Sequence, residues 1–148
     1  MGIEGTYVPS SVDWVRDNVE VYERSGGTKG NIHPELGLLI IIVTMRGAKT
    51  GDVRKIALMK VEHEGVYALV ASQGGSRKNP VWYHNLIAHP DEVMIQDGPE
   101  PFHVSVREAS ADERVAWWER AVAAFPPYAD YQARTTRQIP VMLASPVA

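Results

Sequence analysis

The chain of 148 residues is long enough for one domain with its own core, and its 45% hydrophobic and 22% charged residues are ordinary for a soluble protein. It has no cysteine, which excludes disulfides, thiolate metal sites and a cysteine nucleophile, and which favours a cytoplasmic location. The net charge of −3 argues against general nucleic-acid binding.

The longest apolar run, Leu38 to Met45, is far shorter than the roughly 20 residues of a membrane helix, and Met1 to Ser11 lacks the pattern of a signal peptide. We therefore expect no membrane span, although a peripheral membrane contact stays open. The charges are uneven. From Arg46 to Lys78 seven basic residues stand against three acidic ones, while the rest of the chain has eight against fifteen. Such a basic band suits a local anionic ligand, or it is simply a set of solvated strand faces.

The N-terminal half is predicted to contain one helix followed by three strands. Ser10–Asp13 resembles a capping box, and apolar residues at helical spacing then run to a Gly-Gly pair, which predicts a helix over about 11–25. Leu38–Met45 is short and β-branched, as in a buried strand. After a turn, Val53–His63 and Val66–Ser72 are predicted strands joined by a tight hairpin.

The C-terminal half is predicted to mix short helices with strands. A helix begins near Pro80, and Glu92–Gln96 then forms a hairpin with Phe102–Arg107. Ser110–Glu113 is a second capping box, which opens a long helix, a proline break and a short helical piece before a last strand at Ile139–Ala144. The apolar stripe of the long helix is formed by Val115, Trp118, Val122 and Phe125.

This order of elements predicts the α+β class. Consecutive strands joined by hairpins pair antiparallel, so a small, partly closed barrel with helices packed outside fits the pattern best. The glycine-rich stretches match neither a dinucleotide nor a P-loop fingerprint. No repeat, low-complexity tract or linker divides the chain, so residues 1–148 are expected to be a single domain.

Three stretches offer groups that can bind a ligand. The turn Gly47–Gly51, followed by Arg54, combines amides, a hydroxyl and two cations, which together replace the water around a phosphate; an ordinary basic hairpin is the alternative. The paired glycines of Ala71–Gly75 would let a planar ligand approach the backbone, or they mark a flexible loop. Asn79–Tyr83 combines amide donors with the ring of Trp82, which is otherwise a core residue.

Tyr128 and Tyr131 are three apart on a helical piece and so share one face. Two such phenols can cover a flat ring and hydrogen-bond a carbonyl, and ordinary packing is the alternative. No metal site is expected, because the five histidines show no ligand spacing. A Ser/His/Asp hydrolase is disfavoured because the chain lacks a G-x-S-x-G elbow.

Three blocks, read together and in this order, resemble a known family. They are Gly47–Gly51 with Arg54, then Ala71–Gly75 with Lys78–Leu86, then Pro127–Gln132 with Arg137–Pro140. Their order and spacing resemble the deazaflavin-dependent nitroreductase and quinone reductase family over nearly the whole chain. The resemblance implies a split β-barrel of mainly antiparallel strands with flanking helices. It also implies coenzyme F420, a deazaflavin with a phospholactyl and oligoglutamate tail, as the cofactor.

The resemblance also implies roles for individual residues. Lys49, Thr50 and Arg54 would hold the phosphate and the tail carboxylates, which accounts for the basic band. Ser72, Tyr128 or Tyr131 would donate a hydrogen bond to the acceptor oxygen, the tyrosines from the substrate side. The remaining coenzyme contacts would come from Ala57, Ser72, Gln73, Gly74, Gly75, Lys78, Val81 and Trp82.

The chain departs from the family pattern at four positions. Some members carry Arg at Ala48, Pro at Ala57, Lys at Gln73 and Tyr at Phe125. One fewer cation is expected to weaken tail binding, and the missing phenol is expected to shift substrate choice away from nitroimidazole compounds.

The activity implied by the resemblance is hydride transfer from reduced coenzyme F420 to a hydrophobic electrophile, namely a quinone, an activated enone or a nitro compound. One alternative is a flavin-mononucleotide-dependent split-barrel oxidoreductase. The other is a non-enzymatic carrier of the deazaflavin or of a lipophilic ligand. The expected partner is a small hydrophobic substrate and no nucleic acid, and the oligomeric state is not predicted.

Overall fold

The protein is one antiparallel sheet with four helices, in a computed structural model that describes residues 2–147. The helices are α1 (Asp13–Arg24), α2 (Val81–Ala88), α3 (Ala111–Ala124) and α4 (Pro127–Ala133). The strands are β1 (Ile40–Arg46), β2 (Val53–Met59), β3 (Glu62–His63), β4 (Val66–Val70), β5 (Val93–Gln96), β6 (Pro101–Glu108) and β7 (Val141–Pro146). A 3₁₀ turn, Gln73–Gly75, follows β4. None of the helices within residues 2–147 is long and apolar enough to cross a bilayer.

The sheet is curled into a partly closed barrel. Its strand order is β2-β1-β5-β6-β7-β4-β3, and every neighbouring pair is antiparallel. β2 and β3 lie at opposite edges of the sheet, yet only Lys60 and Val61 separate them along the chain. The two edges must therefore lie close together. This arrangement confirms the predicted α+β barrel of mainly antiparallel strands with flanking helices.

The predicted strand Val53–His63 is wrong in one respect, because it is two strands. The Lys60 amide still donates to the Leu39 carbonyl at 2.9 Å, next to β1, whereas the Val61 carbonyl accepts from the Ala68 amide at 2.9 Å, within β4. The chain thus changes partner between two adjacent residues. The seam of the barrel lies at this point.

Alternate residues of β4 and β7 face two different cores. In β7, Met142 and Ala144 pack inside the barrel, while Val141 and Leu143 face outward against α3 and α4. We call these the inner core and the outer core. A third, smaller cluster lies under α1, where Val19 and Tyr22 cover Ile42 of β1.

One of the two predicted capping boxes is wrong and the other is confirmed. α1 has Val12 as its N-cap and no side-chain cap, because the Ser10 hydroxyl accepts from the Val12 amide at 3.1 Å, before the helix begins. At the start of α3, the Glu113 amide donates to the Ser110 hydroxyl at 3.3 Å, and the Ser110 amide donates to the Glu113 carboxylate at 2.9 Å.

The apolar stripe predicted for α3 is shifted around the helix. Val115 is 65% exposed, whereas Trp117 and Ala121 are buried against the sheet. Trp118 and Val122 only flank the outer core, and Phe125 is buried beyond the end of the helix. The two tryptophans make adjacent positions equally apolar, so helical spacing alone does not show which face the sheet covers.

Candidate functional site

A cleft of about 640 Å³ opens at one mouth of the barrel. Three segments surround it: the β1–β2 turn, the residues before α1, and the first turn of α2. Two of its lining residues connect it to the inner core: Met45 belongs to that core, and Ile56 packs against it. The other lining residues are Ser10, Ser11, Val12, Gly47, Ala48, Lys49, Thr50, Asp52, Arg54, Lys55, Gln73, Pro80, Val81, Trp82, His84 and Asn85.

The β1–β2 turn presents two amide donors without partners. The Gly47 amide donates to the Asp52 carbonyl at 2.7 Å, and the Gly51 amide donates to the Gly47 carbonyl at 3.0 Å. The Ala48 amide donates to the Asn85 side-chain oxygen at 2.9 Å. Within the part of the chain that the structure describes, the amides of Lys49 and Thr50 have no such partner. Both amides are adjacent to the Lys49 side chain along the chain. Free amides next to a cation suit the binding of an anion.

Asn85 fixes this turn to α2, a role that the sequence analysis did not assign. Its side chain is buried, with the residue 6% exposed, and its amide nitrogen also lies 3.6 Å from the Met45 sulfur. A buried amide side chain must find partners for its donors and acceptor. The available signal was a lone Asn beside Leu86 on the inward face of a mostly apolar helix.

Three cations line the cleft, and they differ in how they are paired. Arg54 contacts the Asp52 carboxylate at 3.0 Å, and Lys55 contacts the Glu23 carboxylate at 2.6 Å. Lys49 has no ion-pair partner within residues 2–147. The hydrogen bonds from Arg54, and then that from the Thr50 hydroxyl, hold the pKa of Asp52 below its usual value, so Asp52 is ionised at neutral pH. Lys49 is therefore the cation most available to an anionic ligand.

Part of the cleft lining is apolar. Trp82 lies half-buried on the inner core, and Val81 is 76% exposed at the start of α2. Val12, 48% exposed, lies on the third side. Exposed apolar side chains around a concave site are typical of a pocket for an aromatic or hydrophobic ligand.

The loop from Ala71 to Asn79 lies beside the cleft and is held by Arg137. This guanidinium donates to the carbonyl oxygens of Ser72 and Ser76, each at 2.8 Å, and of Ala71 at 3.2 Å. It also donates to the Asn79 side-chain oxygen at 2.7 Å. Four bonds from one side chain fix the loop over its whole length. Arg137 belongs to the C-terminal block of the family resemblance, but no sequence pattern indicated these partners.

Of the paired glycines, which were predicted to let a ligand approach the backbone, Gly75 is approached by α4. A Cβ on Gly75 would lie 2.5 Å from the Tyr131 carbonyl oxygen, and the residue has φ +81°. A Cβ on Gly74 would meet nothing within 4 Å. Gln73, at φ +45°, adopts the left-handed conformation without being a glycine, and its side chain lines the cleft.

The structure brings together six of the predicted coenzyme residues. Lys49, Thr50, Arg54, Gln73, Val81 and Trp82 line one cleft. Four others lie on the adjoining loop without lining the cleft: Ser72, Gly74, Gly75 and Lys78. Ala57 packs under α1, on the other face of β2.

The two predicted catalytic tyrosines share one face, but that face belongs to the outer core. Tyr128 is 4% exposed, and its ring lies 4.8 Å from that of Phe125 and 6.2 Å from that of Tyr131. Burial raises the pKa of the Tyr128 hydroxyl. Tyr131 is half-buried, with the Arg134 guanidinium 5.5 Å from its ring centre. Neither ring lines the cleft.

The chain is similar to known proteins over nearly its whole length. The model of the F420H(2)-dependent quinone reductase family matches residues 14–146. The chain belongs to this family. An F420H(2)-dependent quinone reductase of Mycobacterium tuberculosis is 34% identical over 135 residues, which are 89% of each chain. The solved structure of an F420-H2 dependent reductase is 47% identical, with a TM-score of 0.67 over 72% of this chain and 93% of its own. A solved domain-swapped dimer is 42% identical, with a TM-score of 0.71 over 92% and 100%.

Membership in the F420H(2)-dependent quinone reductase family confirms three predictions. The protein is an oxidoreductase, its cofactor is coenzyme F420, and its reaction is hydride transfer from the reduced coenzyme to a quinone. The split-barrel fold is also confirmed by the solved reductase. These findings favour an F420-dependent reductase over the flavin mononucleotide enzyme and over the non-enzymatic carrier.

Proposed function

We propose that the cleft between the β1–β2 turn and α2 holds coenzyme F420. The observation that carries the proposal is the mixed lining of the cleft. It combines the unpaired Lys49 and two free amides with the Trp82 ring and Val81. The cation and the amides suit phosphate and carboxylate groups, and the apolar side chains suit a flat ring. The donor set therefore fits a coenzyme that combines both.

Within this proposal, Lys49, Thr50 and Arg54 bind the anionic part of the coenzyme, and Gln73, Val81 and Trp82 border its ring. The loop residues Ser72, Gly74, Gly75 and Lys78 complete the rim once the ligand is bound. Ala57 acts only through the packing of α1 on β2. The reduced coenzyme supplies hydride in one two-electron step, so the protein needs no strong base; its tasks are to orient the reactants and to stabilise charge on the acceptor oxygen.

We assign the hydrogen bond to the acceptor oxygen to Ser72, with Tyr131 as second donor. Ser72 is 8% exposed, and its hydroxyl has no partner within residues 2–147. Arg137 and the Gly75 amide both bind its carbonyl oxygen, so its backbone is fixed. A hydroxyl donor on a fixed backbone stabilises charge on an acceptor oxygen at a small reorganisation cost.

The exposed apolar side chains at the mouth of the cleft suit a hydrophobic acceptor. We extend the proposal from quinones to activated enones and nitro compounds, since all three accept hydride at an electron-poor carbon or nitrogen. A cytoplasmic location and a peripheral membrane contact stay predictions.

The experiment is a fluorescence titration of coenzyme F420 with wild-type protein and two lysine variants. Lys49→Ala removes a charge-assisted contact worth about 1.5–3 kcal/mol, so affinity is expected to fall by about 10- to 150-fold. Lys29→Ala removes the same charge from an exposed loop away from the cleft and is expected to leave affinity unchanged. Equal affinities for all three proteins would refute the proposed site.

A further inference from the structure

The cleft that faces an anionic coenzyme also contains a carboxylate. Asp52 is the one acidic residue among its lining residues, beside the cations Lys49, Arg54 and Lys55. The Asp52 side chain is only 15% exposed, so water screens its charge less than that of a surface carboxylate. A negative charge in this position opposes the binding of a phosphate or carboxylate group.

Asp52 occupies one edge of the Arg54 guanidinium. Its two oxygens accept from Nε at 3.0 Å and from Nη2 at 3.2 Å. A guanidinium has five N–H donors, and this pairing leaves the edge formed by Nη1 and the outer hydrogen of Nη2. An anionic ligand therefore reaches Arg54 only at that edge, unless it displaces Asp52.

The carboxylate is also held in place by the turn. The Thr50 hydroxyl bonds to it, and a Cβ on Gly47 would lie 2.6 Å from its oxygen. Asp52 is thus held beside the backbone of the turn by Thr50 and Arg54. As long as it keeps this position, it competes with an anionic ligand for Arg54.

We propose that Asp52 competes with the anionic part of the coenzyme for Arg54 and thereby sets how fast the spent coenzyme leaves the cleft. This inference rests on the proposed coenzyme site. Each turnover leaves oxidised coenzyme in the cleft, and a site in which both Lys49 and Arg54 were unopposed would hold it longer, since only Lys55 has another carboxylate partner, Glu23. Asp52 lowers the affinity of the site for the coenzyme. Because differences in affinity between variants of one site lie mostly in the dissociation rate, the oxidised coenzyme is released faster.

The test compares Asp52→Asn with wild-type protein. Asparagine keeps an acceptor for Arg54 but has no charge. We expect the substitution to tighten coenzyme binding by about 5- to 50-fold at low ionic strength, with most of the gain in a slower dissociation rate measured by stopped-flow displacement. High salt is expected to remove most of the difference. Multiple-turnover kcat is expected to fall, whereas the single-turnover rate of hydride transfer stays unchanged.

Asp112→Asn is the matched control, because it makes the same charge change on an exposed residue of α3 and is expected to alter none of these values. Weaker binding by Asp52→Asn at both salt concentrations, with an unchanged melting temperature, would overturn the inference and leave Asp52 as a structural part of the turn. If wild-type protein does not bind the coenzyme, the proposed site itself fails. If wild-type protein binds it and Asp52→Asn binds no tighter, only the role of Asp52 fails.

Discussion

The burial of Tyr128 separates the two tyrosines that the sequence treats alike. Its hydroxyl lies in the outer core, so Tyr128→Phe is expected to leave kcat/KM within about twofold of wild type. Tyr131 is half-buried and its backbone contacts the loop that carries Ser72 and Gln73. If Tyr131 donates to the acceptor, Tyr131→Phe is expected to lower kcat/KM by about 5- to 150-fold with little change in coenzyme affinity. Steady-state quinone reduction and a coenzyme titration measure both values.

The opposite order of effects would contradict this assignment. A large loss for Tyr128→Phe at an unchanged melting temperature would mean that α4 moves to expose its ring during turnover. Full activity in both variants would leave Ser72 as the donor, and Ser72→Ala is then the variant that must lose activity.

At the level of single residues, the exposed turn beside the cleft was predictable, and the surroundings of the two tyrosines were not. Lys49 and Thr50 belong to a short turn between two strands, and a turn that short exposes its side chains wherever the strands lie. Tyr128 and Tyr131 share a face by helical spacing, but spacing does not say whether that face meets a cleft or a core. Asn85 and Arg137 act through partners that are distant in sequence, 37 residues away for Asn85 and 58 to 66 for Arg137.

The packing of α4 on the 3₁₀ turn is an element-scale contact that two glycines test. Gly74→Ala and Gly75→Ala both place a Cβ on left-handed backbone, which costs about 1 kcal/mol. Only at Gly75 does the new atom meet backbone, namely the Tyr131 carbonyl at 2.5 Å. We expect Gly75→Ala to lower the free energy of unfolding by about 2–4 kcal/mol and Gly74→Ala by about 1 kcal/mol, measured by urea denaturation.

The same pair of variants reports on the site. Because the 3₁₀ turn carries Gln73 into the cleft, Gly75→Ala is also expected to weaken coenzyme binding, while Gly74→Ala is not. Equal losses of stability in the two variants would show that α4 does not hold the turn.

Element boundaries followed from the sequence where local chemistry decides them. The Ser110–Glu113 box starts α3 because both of its hydrogen bonds join residues three apart. At α1 the similar pattern from Ser10 did not form a capping box. The N-terminal segment there runs beside β2, and the Val8 amide donates to the Val53 carbonyl at 2.9 Å. The helix begins only after this pairing ends. Tertiary contact thus overrode a local signal.

For the whole molecule, the barrel was predictable from the succession of hairpins, but its closure was not. Three of the six strand pairings in the sheet join strands that other elements separate along the chain, namely β1–β5, β4–β7 and β6–β7. Lys60 helps to fix the seam, since its ammonium lies 2.8 Å from the Asp97 carboxylate, which also accepts from the Tyr67 hydroxyl at 2.7 Å. Such long-range pairs leave no periodic mark in the sequence.

The central claim is that the cleft at the mouth of this barrel is built for a deazaflavin with an extended anionic tail. The direct measurement is a side-by-side fluorescence titration of wild-type protein with coenzyme F420 and with flavin mononucleotide at low and high salt. We expect tighter binding of coenzyme F420, and a steeper loss of its affinity with salt, because its tail carries more negative charge past Lys49 and Arg54. Equal or tighter binding of flavin mononucleotide would contradict the account.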